Sequence, residues 1–218
     1  FVDAVHYAPH RAMEVQAWGC DFLTCSAYKF FGPHVGVLWG REELLRSLPV
    51  AKLRPASDEL PDRWTSGTPN LEGIAGTHAA VEYIAELGRR VGDTPGAGRR
   101  EAVVAAFDAI GAYERGLCQQ LLEGVAGLAG VRVWGITRGD QMDRRTPTVF
   151  FTHARRTPQQ IARSLAEQGI FVWAGNNYAL PVTEALGLEP AGGVRVGLLH
   201  YNTAQEVARL LEHLASLA

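Results

Sequence analysis

The sequence predicts an α/β protein, on three observations. Short apolar runs alternate with longer stretches that repeat apolar residues at helical spacing. The chain has 218 residues, nearly half apolar and about a fifth charged, which is the composition of a packed globular protein and a length between one large domain and two small ones. The run Asp21-Phe22-Leu23-Thr24-Cys25-Ser26 leads into Ala27-Tyr28-Lys29 and is stopped by Gly32-Pro33. A buried strand that delivers a hydroxyl, a phenol and an amine to its C-terminal end has the form of a ligand site in an α/β sheet.

The elements follow in order. Phe1 to His6 reads as a strand ending in an acid and an imidazole, and Val15 to Cys20 as a short helical turn before the strand Asp21 to Ser26. Val35 to Trp39 is a second apolar strand that runs into a helix start at Arg41 to Leu45, with acids in its first turn. Residues 49–70 are rich in Pro, Asp, Ser and Gly and form a long loop. The spacing of Leu71, Ile74, Ala75, His78, Val81, Ile84 and Ala85 predicts a helix over Leu71 to Arg90 with that set as its apolar face. The Gly/Pro-rich segment Gly92 to Gly98 divides the chain into domains at 1–95 and 96–218. Beyond it come a long helix over Glu101 to Leu128, strands at Val131 to Trp134 and Thr148 to Thr152, and a helix Pro158 to Gln168 behind a Thr157 cap. Strands at Ile170 to Trp173 and Gly193 to Leu199 and a last helix after Asn202-Thr203 complete the chain, with no internal repeats.

Composition narrows the function. A formal charge of −2 offers no basic surface for nucleic acid or an anionic membrane. No apolar run has the length of a membrane span and no signal peptide is visible. Three cysteines, Cys20, Cys25 and Cys118, without a Cys-x-x-Cys pair, fit reduced thiols in a cytoplasm better than a disulfide framework. Because the sequence opens on Phe1-Val2-Asp3 inside a strand, it is expected to be the C-terminal part of something longer.

Lys29 is the candidate for covalent chemistry. Only two of the 21 lysine and arginine residues are lysines, Lys29 and Lys52. Arginine carries surface charge as well as lysine does, but it cannot form a Schiff base with an aldehyde. Two other readings of the same residues fail. Ser26-x-x-Lys29 as an acyl-enzyme pair needs a helix start and accompanying Ser-Asp-Asn and Lys-Thr-Gly motifs, whereas Gly32-Pro33 stops the helix, Ser57-Asp58 is followed by Glu59, and Lys-Thr-Gly is absent. A metal held by His6 and His10 at i, i+4 needs a helix that Pro9 breaks.

Several short motifs in order carry a resemblance. Asp3-x-x-His6, then Ser26-Ala27-Tyr28-Lys29, Gly32-Pro33, Gly67-Thr68-Pro69-Asn70, and Arg195 six residues before Tyr201-Asn202-Thr203 resemble the cysteine desulfurase branch of the class V aminotransferases over essentially the whole chain. The resemblance implies the second part of the large domain and the small C-terminal α/β domain of a fold-type-I, aspartate-aminotransferase-like enzyme dependent on pyridoxal 5′-phosphate. It implies Lys29 as the catalytic residue and Schiff-base partner of the cofactor, Asp3 opposite the pyridine nitrogen, His6 beside the ring's phenolic oxygen, and Ser26 and Tyr28 on the phosphate. Thr68 would reach the phosphate of a neighbouring subunit, which implies a homodimer with a shared site. Arg195 would hold the α-carboxylate of an amino-acid substrate, with Asn177 beside it, and His34, His200 and Asn70 are further candidates to line the site.

The chain departs from that family at Tyr28, where the family usually has His and a phenol can donate the same hydrogen bond, and in one loop. Where desulfurases carry a nucleophilic cysteine on a mobile loop, the matching stretch is Val172-Trp173-Ala174-Gly175-Asn176-Asn177-Tyr178-Ala179. Tyr178 takes the cysteine's place, and a phenol cannot carry sulfur as a persulfide. Trp173 replaces an arginine common in the family, which implies a more apolar pocket. The expected activity is C–S lyase or desulfurase-like chemistry without the loop cysteine. The alternatives are an epimerase or aminotransferase of the same family, or a non-catalytic half.

Overall fold

The computed structural model describes residues 1–217 and divides by its internal contacts into two units, Phe1–Ala109 and Ile110–Ala218. The division falls inside a continuous helix, beyond the Gly92 to Gly98 segment that the sequence singles out.

The first unit is built around a three-stranded sheet. Strands β1 (Val2–Asp3), β2 (Phe22–Ser26) and β3 (Gly36–Gly40) lie in that order, β1 parallel and β3 antiparallel to β2. Leu23 and Cys25 alternate into the interior from β2, and Ala4, Cys20 and Leu23 are packed by Val2, Tyr7, Met13, Val15 and Trp39. The predicted strand Phe1 to His6 stops at Asp3: the Tyr7 and Ala8 amides both turn back to the Ala4 carbonyl, at 3.1 and 2.9 Å, so the ladder cannot continue. Helix α1 (Glu42–Ser47) follows, and the long segment after it is pinned rather than loose. Trp64 Nε1 donates to the Leu45 carbonyl at 2.9 Å, and Lys52 Nζ reaches the Ala56 carbonyl at 2.7 Å and Asp58 at 3.0 Å.

Helix α2 (Leu71–Val91) starts at Asn70, whose Oδ1 accepts the Gly73 amide at 2.9 Å. Its buried face differs from the one the apolar spacing predicts. Gly73, Ala80, Ile84, Ala85 and Gly88 are buried, while Leu71, Ile74 and His78 are exposed. At Gly88 the reason is steric, because the helix there approaches another backbone too closely for a side chain. A Cβ on Gly88 would lie 1.8 Å from the Ala102 carbonyl oxygen of α3 (Arg99–Ala126).

The second unit is a four-stranded antiparallel sheet in the order β4-β5-β7-β6, formed by β4 (Val131–Trp134), β5 (Thr148–His153), β6 (Trp173–Gly175) and β7 (Gly193–Gly197). One face is covered by the latter part of α3 with α4 (Pro158–Glu167) and α6 (Ala204–Ser216), and the core there includes Leu121, Val125, Val149, Phe151, Leu165, Val194 and Val207. Both α4 and α6 open with complete capping boxes, Thr157 with Gln160 and Thr203 with Glu206. The strand expected at Ile170 to Trp173 lies later, because the Ile170 amide closes the end of α4 on the Leu165 carbonyl at 2.9 Å and is withdrawn from any ladder. A short helix α5 (Leu180–Ala185), which the sequence reading does not contain, follows the loop after β6. No helix of the described residues is long and apolar enough to cross a membrane.

Two expectations test this packing. Gly88→Ala drives a Cβ into α3 backbone and is expected to destabilise by about 2 kcal/mol or more. Gly116→Ala, exposed in α3 with nothing within 4 Å of its Cβ, is expected to stabilise by roughly 0.5–1 kcal/mol. Denaturant unfolding measures both, and equal effects would contradict the close approach. Glu206 is held below the usual carboxylate range chiefly by the Thr203 backbone amide. Its cap therefore contributes above the ordinary carboxylate pKa and is lost as pH falls through the lowered one. The stability gap between wild type and Glu206→Gln should shrink on acidification and stay level above neutrality.

Candidate functional site

The candidate residues of the first unit gather at the ends of β1 and β2. Parallel pairing sets Asp3 opposite Thr24, with the Ala4 amide on the Thr24 carbonyl at 2.8 Å. Asp3 is thus one strand away from, and just short of, Ser26, the last residue of β2. Asp3 Oδ1 accepts the Val5 amide at 3.0 Å, which turns the chain towards His6. The His6 ring meets the buried His10 edge-on, with centroids 5.4 Å apart. His10 is a neighbour that the sequence reading considers only as a metal ligand, and the burial that identifies it is not visible along the sequence.

After Ser26 the chain leaves the sheet in a single 3-10 turn, Ala27–Phe30, whose last turn carries Lys29. Ser26 precedes that turn without making a side-chain capping bond. Phe31 closes the turn in the left-handed region at φ 73°, and the Gly32 amide returns to the Ala27 carbonyl at 2.8 Å. A side chain at Gly32 would touch Ala27 Cβ at 3.0 Å, so glycine is what permits this closure. The half-exposed Tyr28 ring stacks on His34, with centroids 4.9 Å apart and 15° between planes, and Lys29 Nζ lies 5.0 Å from the Tyr28 centroid. Among the described residues Lys29 makes no hydrogen bond and no ion pair, whereas Lys52 is tied to Ala56 and Asp58. Thr68 is exposed in the segment before α2, and no described hydrogen bond joins it to this group.

The candidates of the second unit lie on the sheet face away from its helices. Arg195 of β7 is half-buried, and the register sets it between Phe150 of β5 and Trp173 of β6. At the end of β6, Asn177 and Tyr178 are consecutive left-handed residues, at φ 56° and 62°. The Asn177 Nδ2 donates to the Gly175 carbonyl at 3.1 Å, and the Tyr178 amide to Asn176 Oδ1 at 3.2 Å. Asn177 Oδ1 is buried and lacks a hydrogen-bond partner among the described residues, while Tyr178 is 96% exposed. A bulky residue held left-handed stores strain of about 1–3 kcal/mol, which accumulates at functional loops.

No cysteine lies in that loop, and all three thiols are buried. Burial pushes the Cys25 thiol up, and Cys118 is raised mainly by burial, with Arg145 opposing and Glu114 adding to the rise. Cys20 is spent on the Val15 carbonyl at 3.6 Å.

Comparison with known proteins identifies the family and the fold. The aminotransferase class-V family profile matches residues 1–93 and 102–210. A probable cysteine desulfurase of Pseudomonas putida is 32% identical over 98% of this chain and 49% of its own length. The aminotransferase-like protein FGM3 of Gibberella zeae is 31% identical over 96% and 49%. Among solved structures, the apo cysteine desulfurase of Thermococcus onnurineus superposes with a TM-score of 0.83 at 27% identity, covering 100% of this chain and 52% of that one. The Escherichia coli cysteine desulfurase CsdA gives 0.76 at 26% identity over 99% and 50%. The chain therefore spans about half the length of the curated relatives it matches. With an α/β fold of the fold-type-I, pyridoxal-phosphate-dependent transferases, the chain belongs to the class-V aminotransferases, on their cysteine-desulfurase-like branch.

Proposed function

We propose that this chain carries the lysine half of a pyridoxal-phosphate-dependent site that acts on an amino acid, with Lys29 as the residue that holds the cofactor. The observation that carries the reading is the contrast between the two lysines. Lys52 is committed to Ala56 and Asp58, and Lys29, at the C-terminal end of β2, has no hydrogen-bond or ion-pair partner among the described residues. The donors around it fit the group. Ser26 and Tyr28 offer hydroxyls for a phosphate, and Asp3 on the adjacent strand offers a carboxylate for a protonated ring nitrogen. When bound, pyridoxal phosphate supplies an electron sink that acidifies the substrate Cα–H.

The chain's own residues would divide the remaining work. Lys29 would hold the cofactor covalently and, when released, would take the substrate Cα proton on Nζ. Asp3 would supply the carboxylate that keeps the ring nitrogen protonated, and His6 would offer a hydrogen bond to the phenolic oxygen. Arg195 offers its planar fork to the substrate carboxylate, with Asn177 beside it. Thr68 is assigned to the phosphate of a second subunit in a homodimer.

The thiols favour chemistry that does not pass sulfur to the protein. Loop residue Tyr178 cannot form a persulfide, and Cys20, Cys25 and Cys118 are buried. We therefore assign a C–S lyase, desulfurase-like reaction by β-elimination, in which the proton leaves Cα and the sulfur departs with the C–S bonding pair as a free thiol or sulfide, so no persulfide acceptor is needed. Epimerisation and transamination draw on the same lysine, acid and arginine.

Borohydride reduction after addition of pyridoxal phosphate, followed by peptide mapping, is the decisive test. Label on Lys29, with loss of the visible band in Lys29→Ala and its retention in Lys52→Ala, is the expected result; label on Lys52 alone would overturn the assignment. Iodoacetamide at neutral pH should modify the native protein far more slowly than the denatured protein, because raised thiol pKa values keep Cys25 and Cys118 protonated. Rapid native alkylation with persulfide trapped on any cysteine would return the chain to the persulfide-forming class.

A further inference from the structure

The strand register of the second unit aligns four residues across the whole sheet. Trp134 of β4 pairs with Phe150 of β5, Phe150 with Arg195 of β7, and Arg195 with Trp173 of β6. Directly opposed residues share a face and bring their Cβ atoms to about 5 Å. This row is on the face opposite the buried Val149, Phe151, Val194 and Val196. Arg195 is thus the single cation in a line of aromatic side chains.

The surroundings of Arg195 are those of a receptor rather than of a structural staple. Along its own strand the same-face neighbours are Gly193 and Gly197, which add no side chains beside it. The Phe150 ring already leans over Gly193, where a Cβ would meet Phe150 Cζ at 2.4 Å. Trp173 flanks the other side on the edge strand and remains 54% exposed. Other cations nearby are engaged. Arg132 lies 3.8 Å over the Trp134 ring, and Arg145 donates to the Ile136, Thr146 and Thr148 carbonyls. Arg195 makes no hydrogen bond or ion pair among the described residues.

We infer that this row selects the substrate: Arg195 takes the carboxylate, while Trp173 and Phe150 receive an aromatic or large apolar group borne on the substrate's sulfur, as in an S-substituted cysteine, in preference to the bare thiol of cysteine. The inference rests on the reading of Arg195 as the carboxylate-holding residue and adds the class of side chain. The chemistry follows from the spacing. A carboxylate on the guanidinium sets its Cα substituent within reach of the cross-strand neighbours, and a planar apolar group there stacks on rings that otherwise face water.

Carboxylates without an amino group test this independently of the cofactor, since they cannot react with it. Calorimetric titration of the full-length, cofactor-free protein with 3-phenylpropionate, 3-mercaptopropionate and propionate should show the first binding at least about tenfold tighter than the other two, the gain of one well-placed aromatic contact. Arg195→Gln should lose all three. Trp173→Arg should retain propionate and lose the preference, and Trp173→Ala serves the same purpose if the first variant fails to fold by circular dichroism. Equal binding of the three acids, no binding at all, binding that survives Arg195→Gln, or a preference that survives loss of Trp173 would each overturn the proposal. Failure of the Lys29 assignment would appear separately, as no visible band on addition of pyridoxal phosphate.

Discussion

The first unit depends on how closely α2 can lie against the chain that leaves Lys29. A Cβ on Gly73 would come within 2.4 Å of Val35 Cγ2, and one on Gly76 within 3.0 Å of Pro33 Cγ. The helix therefore presents glycine to the segment that closes the lysine turn. Further along the same helix, Tyr83 meets Phe31 edge-on at 5.7 Å. Phe31 is the residue held left-handed at φ 73°, so the aromatic contact offsets a conformation that an L-residue otherwise disfavours by about 1–2 kcal/mol. Val35 in turn accepts the Ala27 amide on its carbonyl at 2.8 Å. The turn that carries Lys29 is thus fixed from both ends by groups outside it, while the amine makes no described hydrogen bond or ion pair and lies only against the Tyr28 ring.

That same contact explains where the sequence was legible and where it was not. Elements set by local chemistry are readable along the chain. Thr157 with Gln160 and Thr203 with Glu206 start helices where capping boxes should, and β4 runs from Val131 to Trp134 as its alternation indicates. The face of α2 is not local. Apolar periodicity assigns Leu71, Ile74 and His78 to the interior, but the buried face holds Gly73, Ala80, Ile84, Ala85 and Gly88 instead, with Gly73 against the Val35 side chain and Gly88 against the Ala102 backbone. β6 likewise begins three residues late because the α4 cap claims Ile170. The site shows the same division. Asp3, Ser26, Tyr28 and Lys29 are found by motif, whereas the alignment of Trp134, Phe150, Arg195 and Trp173 depends on the register of four strands far apart in sequence.

Thiol burial and loop strain bear on reactivity from opposite sides. A cysteine that takes sulfur from a substrate must be exposed and readily ionised. Cys25 alternates into the interior of β2, and Cys118 packs in the core of the second unit; neither condition is met. The exposed and strained position is occupied by Tyr178 instead, held out by two successive left-handed residues and by Asn176 Oδ1 on its amide. Gly192 makes that loop possible, since a side chain there would strike the Gly175 carbonyl carbon at 2.1 Å. The backbone thus maintains a projecting loop tip with a side chain unable to serve as a sulfur acceptor.

The use of cations sharpens the assignment of both candidate groups. Several arginines serve as staples for the chain's own backbone, a task suited to a planar fork with several donors. Arg41 holds the Cys20 and Gly19 carbonyls at 3.1 Å each, Arg63 holds Leu48 at 2.8 Å, and Arg145, Arg156 and Arg209 close on carbonyls of the second unit. Lys52 follows the same rule through Ala56. Lys29 after β2 and Arg195 within β7 make no described hydrogen bond or ion pair, Lys29 lying only against the Tyr28 ring and Arg195 between Phe150 and Trp173. Under the proposed function the two side chains would serve different chemistries, covalent capture of a carbonyl by the amine and bidentate recognition of a carboxylate by the guanidinium.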